Sequence, residues 1–259
     1  MDIPFYEQDG FTLYNGDCVK VMKGMTEASV DLVVTSPPYN IGIDYASYSD
    51  DLPWGEYLSW CGEWLAECRR LLKPDGRIAV NVLVEMGIDG NSRRVSPMIE
   101  LYEIMSSLGF TMCGLPMWTD RHRVKNTAWG SYLSASCPYV YNPMEVIILA
   151  HNGEKKKLSS GVSTVTKDDF VMGTGGLWDF RDETAPLTKC CFPVGLPKLC
   201  IDMFTYEGDT VLDPFSGSGT TGIACKMSNR RYVGIELDKS YCEISVRRMQ
   251  EKFSQLYLF

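Results

Sequence analysis

Residues 211–225 read "VLDPFSGSGTTGIAC". The apolar approach to Asp213 reads as the end of a strand. Gly217 and Gly219 then allow a tight turn and a close backbone approach before a helix that starts at Thr220 or Thr221. The next apolar run, "RYVGIEL" (231–237), is a second strand. It ends at Glu236, about twenty residues past the turn, where an acidic side chain can hydrogen-bond both hydroxyls of a ribose. Strand, glycine turn, helix, strand and terminal acid together form a cradle for a nucleotide-like ligand. The turn has no lysine of the phosphate-binding kind, which argues against a nucleoside triphosphate. It has only the first two glycines of the dinucleotide fingerprint, which makes NAD a weaker candidate than S-adenosylmethionine.

Outward from this stretch the chain alternates short apolar runs with amphipathic ones, the pattern of an α/β protein with a mostly parallel sheet. "SVDLVVTS" (29–36) reads as a strand. "LPWGEYLSWCGEWLAECRRLLKPDG" (52–76) reads as a helix stopped by Pro74 and Gly76. "RIAVNVLV" (77–84) is a strand, "MIELYEIMSSLGF" (98–110) a helix and "EVIILAH" (145–151) a strand. From about Asn152 to Thr188 the chain is polar, rich in Gly, Ser and Thr and without a clear period, so it reads as an inserted loop region. The order resumes with a helix at "GLPKLCIDMFT" (195–205), and the chain closes with another at "SYCEISVRRMQEKF" (240–253). The aromatic run Trp54, Tyr57, Trp60 and Trp64 reads as a helix face packed into the core.

The chain has 259 residues, 45% hydrophobic and 22% charged, a composition suited to one globular domain with an insertion. There is no run of about eighteen apolar residues. The start "MDIPFYEQDG" lacks a basic segment followed by an apolar one, so a soluble, cytoplasmic protein is expected. The ten cysteines are scattered and read as reduced thiols filling the core, Cys190 and Cys191 among them. With His122 and His151 as the only histidines, a zinc site or a histidine-activated nucleophile is improbable and no metal is expected. The net charge of −8 argues mildly against a nucleic-acid partner. The charge is uneven, however: Arg121, Arg123, Lys125, Lys155, Lys156 and Lys157 face only Glu145 and Glu154 within the same stretch.

A second motif, "TSPPYN" (35–40), follows directly on the strand that ends near Val34. Pro37 and Pro38 end the sheet pairing, stiffen the loop and bias Ser36 toward an extended backbone. Such a loop suits a site that must place acceptors and an aromatic ring rigidly.

Together the two motifs resemble those of the DNA amino-methyltransferases, which methylate the exocyclic nitrogen of cytosine or adenine with S-adenosylmethionine. Ser36-Pro37-Pro38-Tyr39 matches the family's Asp/Ser/Asn-Pro-Pro-Tyr/Phe. Residues Asp213, Pro214, Phe215, Ser216, Gly217, Ser218, Gly219, Thr220 and Thr221 match its Asp-Pro-Phe-x-Gly-Ser-Gly-Thr-Thr. The catalytic motif precedes the cofactor motif, the order of the circularly permuted β subgroup.

The resemblance implies a Rossmann-like methyltransferase fold with helices on both faces of the sheet. It implies a catalytic half over 1–151, a target-recognition region over 152–188 and a cofactor half over 189–259. It places Asp17 and the backbone of Cys18 at the cofactor's adenine, and Glu236 and Leu237 at the cofactor as well. Phe192 and Pro193 fall where the family has a longer His-Pro-x-Pro-Phe-Pro-like run near the methionine moiety, of which only Phe-Pro is kept. The expected partner is double-stranded DNA, with the basic residues between Arg121 and Lys157 as phosphate contacts. The family likeness also permits a cognate restriction endonuclease in the same system, and either a monomer or a homodimer.

Chemistry explains the stiff loop. An exocyclic amine is a poor nucleophile because its lone pair is delocalised into the ring. The Ser36 hydroxyl and the Pro37 carbonyl, placed beside the amine, would take its hydrogens and favour a pyramidal nitrogen. The base must first be flipped from the stack, at a cost of roughly a few kcal/mol. Stacking on Tyr39 could return about 1–3 kcal/mol. Asn40 holds either the loop or the base edge. Ser rather than Asp at the first position favours N4 of cytosine over N6 of adenine. An idle cofactor-binding subunit and an RNA or small-molecule amino-methyltransferase are the alternatives that the residues leave open.

Overall fold

The computed structural model describes residues 3–45, 48–88, 93–119, 130–140, 142–180 and 192–256. In chain order the elements begin with β1 (Tyr6–Gln8), β2 (Phe11–Asn15), α1 (Cys18–Lys23) and β3 (Val30–Thr35). A two-residue hairpin, β4 (Asp44–Tyr45) and β5 (Tyr48–Ser49), leads to α2 (Trp54–Leu71) and β6 (Leu72–Leu83). Then come a short hairpin, β7 (Met86–Ile88) and β8 (Arg93–Val95), α3 (Pro97–Ser107), β9 (Thr111–Gly114), β10 (Met117–Thr119) and β11 (Met144–His151). The remainder is α4 (Lys167–Gly173), β12 (Leu177–Trp178), α5 (Gly195–Phe204), β13 (Thr210–Asp213), α6 (Thr220–Met227), β14 (Arg231–Glu236) and α7 (Lys239–Leu256).

One sheet holds ten of these strands in the order β1-β2-β14-β13-β3-β6-β11-β10-β12, with β9 also on β11. Its centre, β2-β14-β13-β3-β6, is parallel throughout. The fully buried pattern of β3, "VDLVVT", fits a strand covered on both faces. Apolar clusters on the two sides confirm this. One gathers α1, α2 and α3 around Trp64, Leu65 and Leu101; the other gathers α5, α6 and α7 around Leu199, Ala224 and Met249.

Helix α2 ends at Leu71, ahead of Pro74, as expected of a residue that disfavours α geometry before it. The strand after it begins earlier than the apolar run "RIAVNVLV". Leu72 already pairs with Val30, and a bulge spans the residues before Arg77 pairs with Leu32. The described part of the inserted region is less loop-like than its composition suggests. It carries α4 and β12, Trp178 is buried in the sheet edge beside Trp118, and Gly173 lies so close to Met203 that a Cβ would collide with its sulfur at 2.0 Å. Two buried apolar residues thus hold a mostly polar segment onto the core. Among the described residues no helix is long and apolar enough to cross a membrane. Eight cysteines are described, all free. Cys190 and Cys191 lie outside the described residues.

Candidate functional site

The strand order reverses direction between β13 and β3. From β13 the chain continues through α6 to β14 on one side; from β3 it continues through α2 to β6 on the other. A crevice at the carboxyl ends of such strands is where α/β folds bind ligands. A cavity lies there, lined by Asp17, Cys18, Ser36, Pro37, Pro38, Tyr39, Phe192, Asp213, Pro214, Phe215, Ser216, Gly217, Ser218, Thr220, Glu236 and Leu237. Two stretches nearly 180 residues apart in sequence therefore form one wall. Gly16, Ile43, Trp60, Ile235, Asp238 and Tyr241 complete it.

The glycine turn is built as its composition demands. Gly217 (φ 52°) and Gly219 (φ 79°) occupy the left-handed region. A Cβ on Gly217 would stand in open space, with only the Phe215 carbonyl at 4.0 Å, whereas one on Gly219 would meet Ser245 Oγ of α7 at 2.2 Å. Arg248, also on α7, donates to the Ser218 carbonyl at 2.6 Å and hydroxyl at 2.8 Å, fastening the turn from behind.

Glu236 ends β14 and spans the turn. Its Oε2 accepts from the Gly217 amide at 2.7 Å and its Oε1 from the Asp238 amide at 2.8 Å. Burial pushes its carboxyl above the usual range, against the lowering effect of these two amides. Each oxygen keeps a lone pair able to accept a sugar hydroxyl. Asp17 caps α1, accepting from the Lys20 amide at 2.9 Å. Burial, with the Asp17 charge next, raises the Cys18 thiol to about 12, so that this side chain stays neutral. Apolar walls, a glycine-lined turn and a carboxylate at the strand end fit an adenosine-bearing group. Asp213 faces inward instead. Its carboxylate accepts from Thr35 and Thr221, both at 2.7 Å, and from the Phe215 amide at 3.1 Å. Thr221 is fully buried in this clamp.

The proline loop is held from below. Tyr57, on α2, donates to the Pro38 carbonyl at 2.9 Å. Asn40 sits in the left-handed region (φ 58°), accepts from the Leu52 amide and donates to the Leu52 carbonyl, both at 2.7 Å. It is therefore the loop-holding residue of the two roles its type allowed. Tyr39 lines the cavity but is only 6% exposed, with its hydroxyl donating to Glu145 at 2.8 Å and 2.9 Å from Ser36 Oγ. Trp60, read from the sequence as core, reaches the cavity and packs on Phe215 with ring centroids 5.5 Å apart. Trp54 lines a neighbouring groove with Asn40, Leu52, Met86, Arg94 and Tyr139.

The structure does not bring all the expected basic residues to this end. Arg121, Arg123 and Lys125 lie outside the described residues, though the chain leaves β10 at Thr119, beside Met144, at the end of the sheet that carries Ser36. Lys155, Lys156 and Lys157 follow the far end of β11, where Asn152 bonds Gly76 and Glu154 bonds Pro74. Lys155 and Lys156 are exposed there. Lys157 pairs with buried Asp31 at 3.2 Å and with Asp209 at 3.0 Å, a structural role at the end of the sheet opposite the cavity. No described residue of 152–180 lines the cavity or the neighbouring groove. Residues 181–188 lie outside the described set. Sequence reasoning missed Ile43, Trp60 and Tyr241, which sit in no motif and reach the cavity only through packing.

A family model described as DNA methylase matches residues 30–247. The type II methyltransferase M.MjaVI of Methanocaldococcus jannaschii is 40% identical over 177 residues, covering 68% of this chain and 88% of that protein. The type II methyltransferase M.HpaI of Haemophilus parainfluenzae is 29% identical over 255 residues, 92% of this chain and 74% of the relative. Among solved structures, the DNA modification methylase TTHA0409 of Thermus thermophilus, complexed with S-adenosyl-L-methionine, matches with a TM-score of 0.73 at 28% identity over 93% of each chain.

Proposed function

The chain belongs to the DNA methylase family and is an S-adenosyl-L-methionine-dependent DNA methyltransferase, and from that premise we propose that it methylates the exocyclic amine of a flipped-out base, with N4 of cytosine favoured. The observation that carries the reading is the shared cavity, in which Ser36-Pro37-Pro38-Tyr39 stands against Asp213–Thr220 and Glu236.

When bound, the cofactor supplies an electrophilic methyl group on a sulfonium. Glu236 would hold the ribose hydroxyls, Asp17 and the Cys18 backbone the adenine, and Phe192 and Pro193 the methionine end. The Gly217–Gly219 turn lets the backbone come close. Asp213 positions the turn rather than touching the ligand, since its carboxylate is buried at 1% exposure and turned toward three protein donors. Ser36 and the Pro37 carbonyl accept hydrogen bonds from the amine and so localise the nitrogen lone pair. Rigid prolines, pinned through Pro38 by Tyr57, remove the entropy of placing those acceptors. The Tyr39 ring offers the base a contact face inside the cavity. Ser36 in the first position supports cytosine, and Arg121, Arg123 and Lys125 are the candidate phosphate contacts.

The test is methyl transfer from radiolabelled S-adenosylmethionine to unmethylated plasmid DNA, followed by digestion to nucleosides, mass identification and mapping of the methylated sequence. N4-methylcytosine is the expected product. N6-methyladenine would overturn the choice of base. Absence of label in DNA with cofactor binding intact would overturn the reading itself, and label in RNA would redirect it.

A further inference from the structure

Beneath the proline loop lies a buried polar chain that the cofactor cavity does not use. Resting on the reading that Ser36 faces the target amine, we propose that Glu145 is a positioning residue that fixes the Ser36 hydroxyl as an acceptor toward the base, so that the site selects an amino group over a carbonyl oxygen.

Trp118 Nε1, which can only donate, lies 2.7 Å from Asn81 Oδ1, so the Asn81 amide cannot be turned around. Asn81 Nδ2 is thereby directed at Glu145 Oε2 (2.5 Å) and at the Tyr39 hydroxyl (2.9 Å). Glu145 is 4% exposed and as a carboxylate accepts only, so Tyr39 gives its single hydrogen to the charged Glu145 Oε2 at 2.8 Å rather than to the Asn81 carbonyl at 3.4 Å. The Tyr39 oxygen is left as an acceptor. Ser36 Oγ, 2.9 Å from it, must then be the donor of that pair, or else donate to the Asn81 carbonyl at 3.2 Å. Both routes point the Ser36 hydrogen into the protein and leave its lone pairs for the cavity.

The directions of the Tyr39 and Ser36 bonds are therefore decided by the carboxylate on β11. A target with an amine meets lone pairs that accept its hydrogens; a carbonyl oxygen in the same place meets lone pair against lone pair. A site built to bond a particular polar group rejects the analogue that lacks it, because buried groups would be left unpaired. Asn81 and Glu145 occupy β6 and β11, two off from being opposite each other in the pairing Ile147↔Asn81 and Glu145↔Leu83. They share one face of the sheet, and the network is thus carried by rigid elements.

Glu145→Leu removes the acceptor while filling most of the same space. The Asn81 amide still donates to the Tyr39 oxygen, Tyr39 is released to donate to Ser36, and the Ser36 hydrogen turns to the cavity. The experiment compares binding of two duplexes bearing the mapped site, in the presence of S-adenosylhomocysteine. One carries the amino base, the other its keto counterpart (uracil for cytosine, hypoxanthine for adenine). The ratio for E145L is divided by that of the wild type, which cancels the different ease of flipping. We expect the preference for the amino duplex to fall about tenfold and kcat to fall at least about tenfold, with cofactor affinity within about twofold. Should E145L lose cofactor binding, Glu145→Met, closer in length to the native side chain, is expected to shift the ratio in the same direction. An unchanged ratio and unchanged turnover in a variant that binds cofactor would overturn the inference. A wild type that methylates DNA yet binds both duplexes alike would overturn it while leaving the methyltransferase reading intact; a wild type that methylates no DNA overturns both.

Discussion

Thr35 Oγ1 donates to Asp213 Oδ1 at 2.7 Å, joining the last residue of β3 to the last residue of β13. The proline loop begins one residue after Thr35 and the glycine turn shortly after Asp213. A single buried bond thus fixes the spacing between the residues read as acceptors for the base and the turn read as the cofactor cradle. Thr221 closes the clamp on the other carboxylate oxygen, so α6 is tied to the same point.

Asp213 gives the fold a characteristic response to pH. Burial raises its carboxyl to about 6, offset in part by Thr221, Thr35 and the Phe215 amide. The folded chain then binds this proton more tightly than the unfolded one, so stability falls as pH rises from about 4 to about 6. The full span is roughly 3 kcal/mol. Measured by urea denaturation, wild-type stability minus that of Asp213→Asn should increase by about that amount as pH is lowered from 7 to 4. A difference flat across the range would show that burial does not perturb this group.

Gly219 is constrained twice, by its positive φ and by the approach of α7. Gly219→Ala should weaken S-adenosylmethionine binding at least about tenfold in calorimetric titration, since the left-handed backbone alone costs an alanine roughly 1–2 kcal/mol. Adding Ser245→Gly removes the Oγ at 2.2 Å and the Cβ at 3.1 Å, and should recover part of the loss. Recovery of none would mean that the backbone, not the helix contact, carries the whole constraint.

Lys157 is engaged within the fold, and we expect it to serve stability rather than a DNA interface. It shares Asp31 with Lys73. Burial alone would raise the Asp31 carboxyl, but the bond from Lys73, the Thr210 amide and the charge of Lys157 hold it below the usual range. Lys157→Ala should lower stability by roughly 1–3 kcal/mol, with DNA affinity and its salt dependence unchanged in gel-shift titration. A weaker, less salt-sensitive DNA complex would place this lysine at the phosphates after all.

Much of this was legible in the chain. The strand, glycine turn, helix and terminal acid of 211–236 appear where the local pattern put them, because turn glycines and apolar runs act through neighbours a few residues away. Tertiary structure decided the rest. Lys155 to Lys157 look like any basic cluster until the antiparallel course of β11 carries them to the far end of the sheet. Trp178 sits in a polar stretch, and its burial is explained by tertiary pairing with Trp118 across the sheet edge. Glu145 reads as one charged residue opening the strand "EVIILAH"; its bond to Tyr39 spans 106 positions. Local sequence determined which residue types could bind a nucleotide-like group and place acceptors beside an amine. The fold alone decided which distant carboxylate would orient them, because hydrogen-bond direction in a buried chain depends on every partner along it.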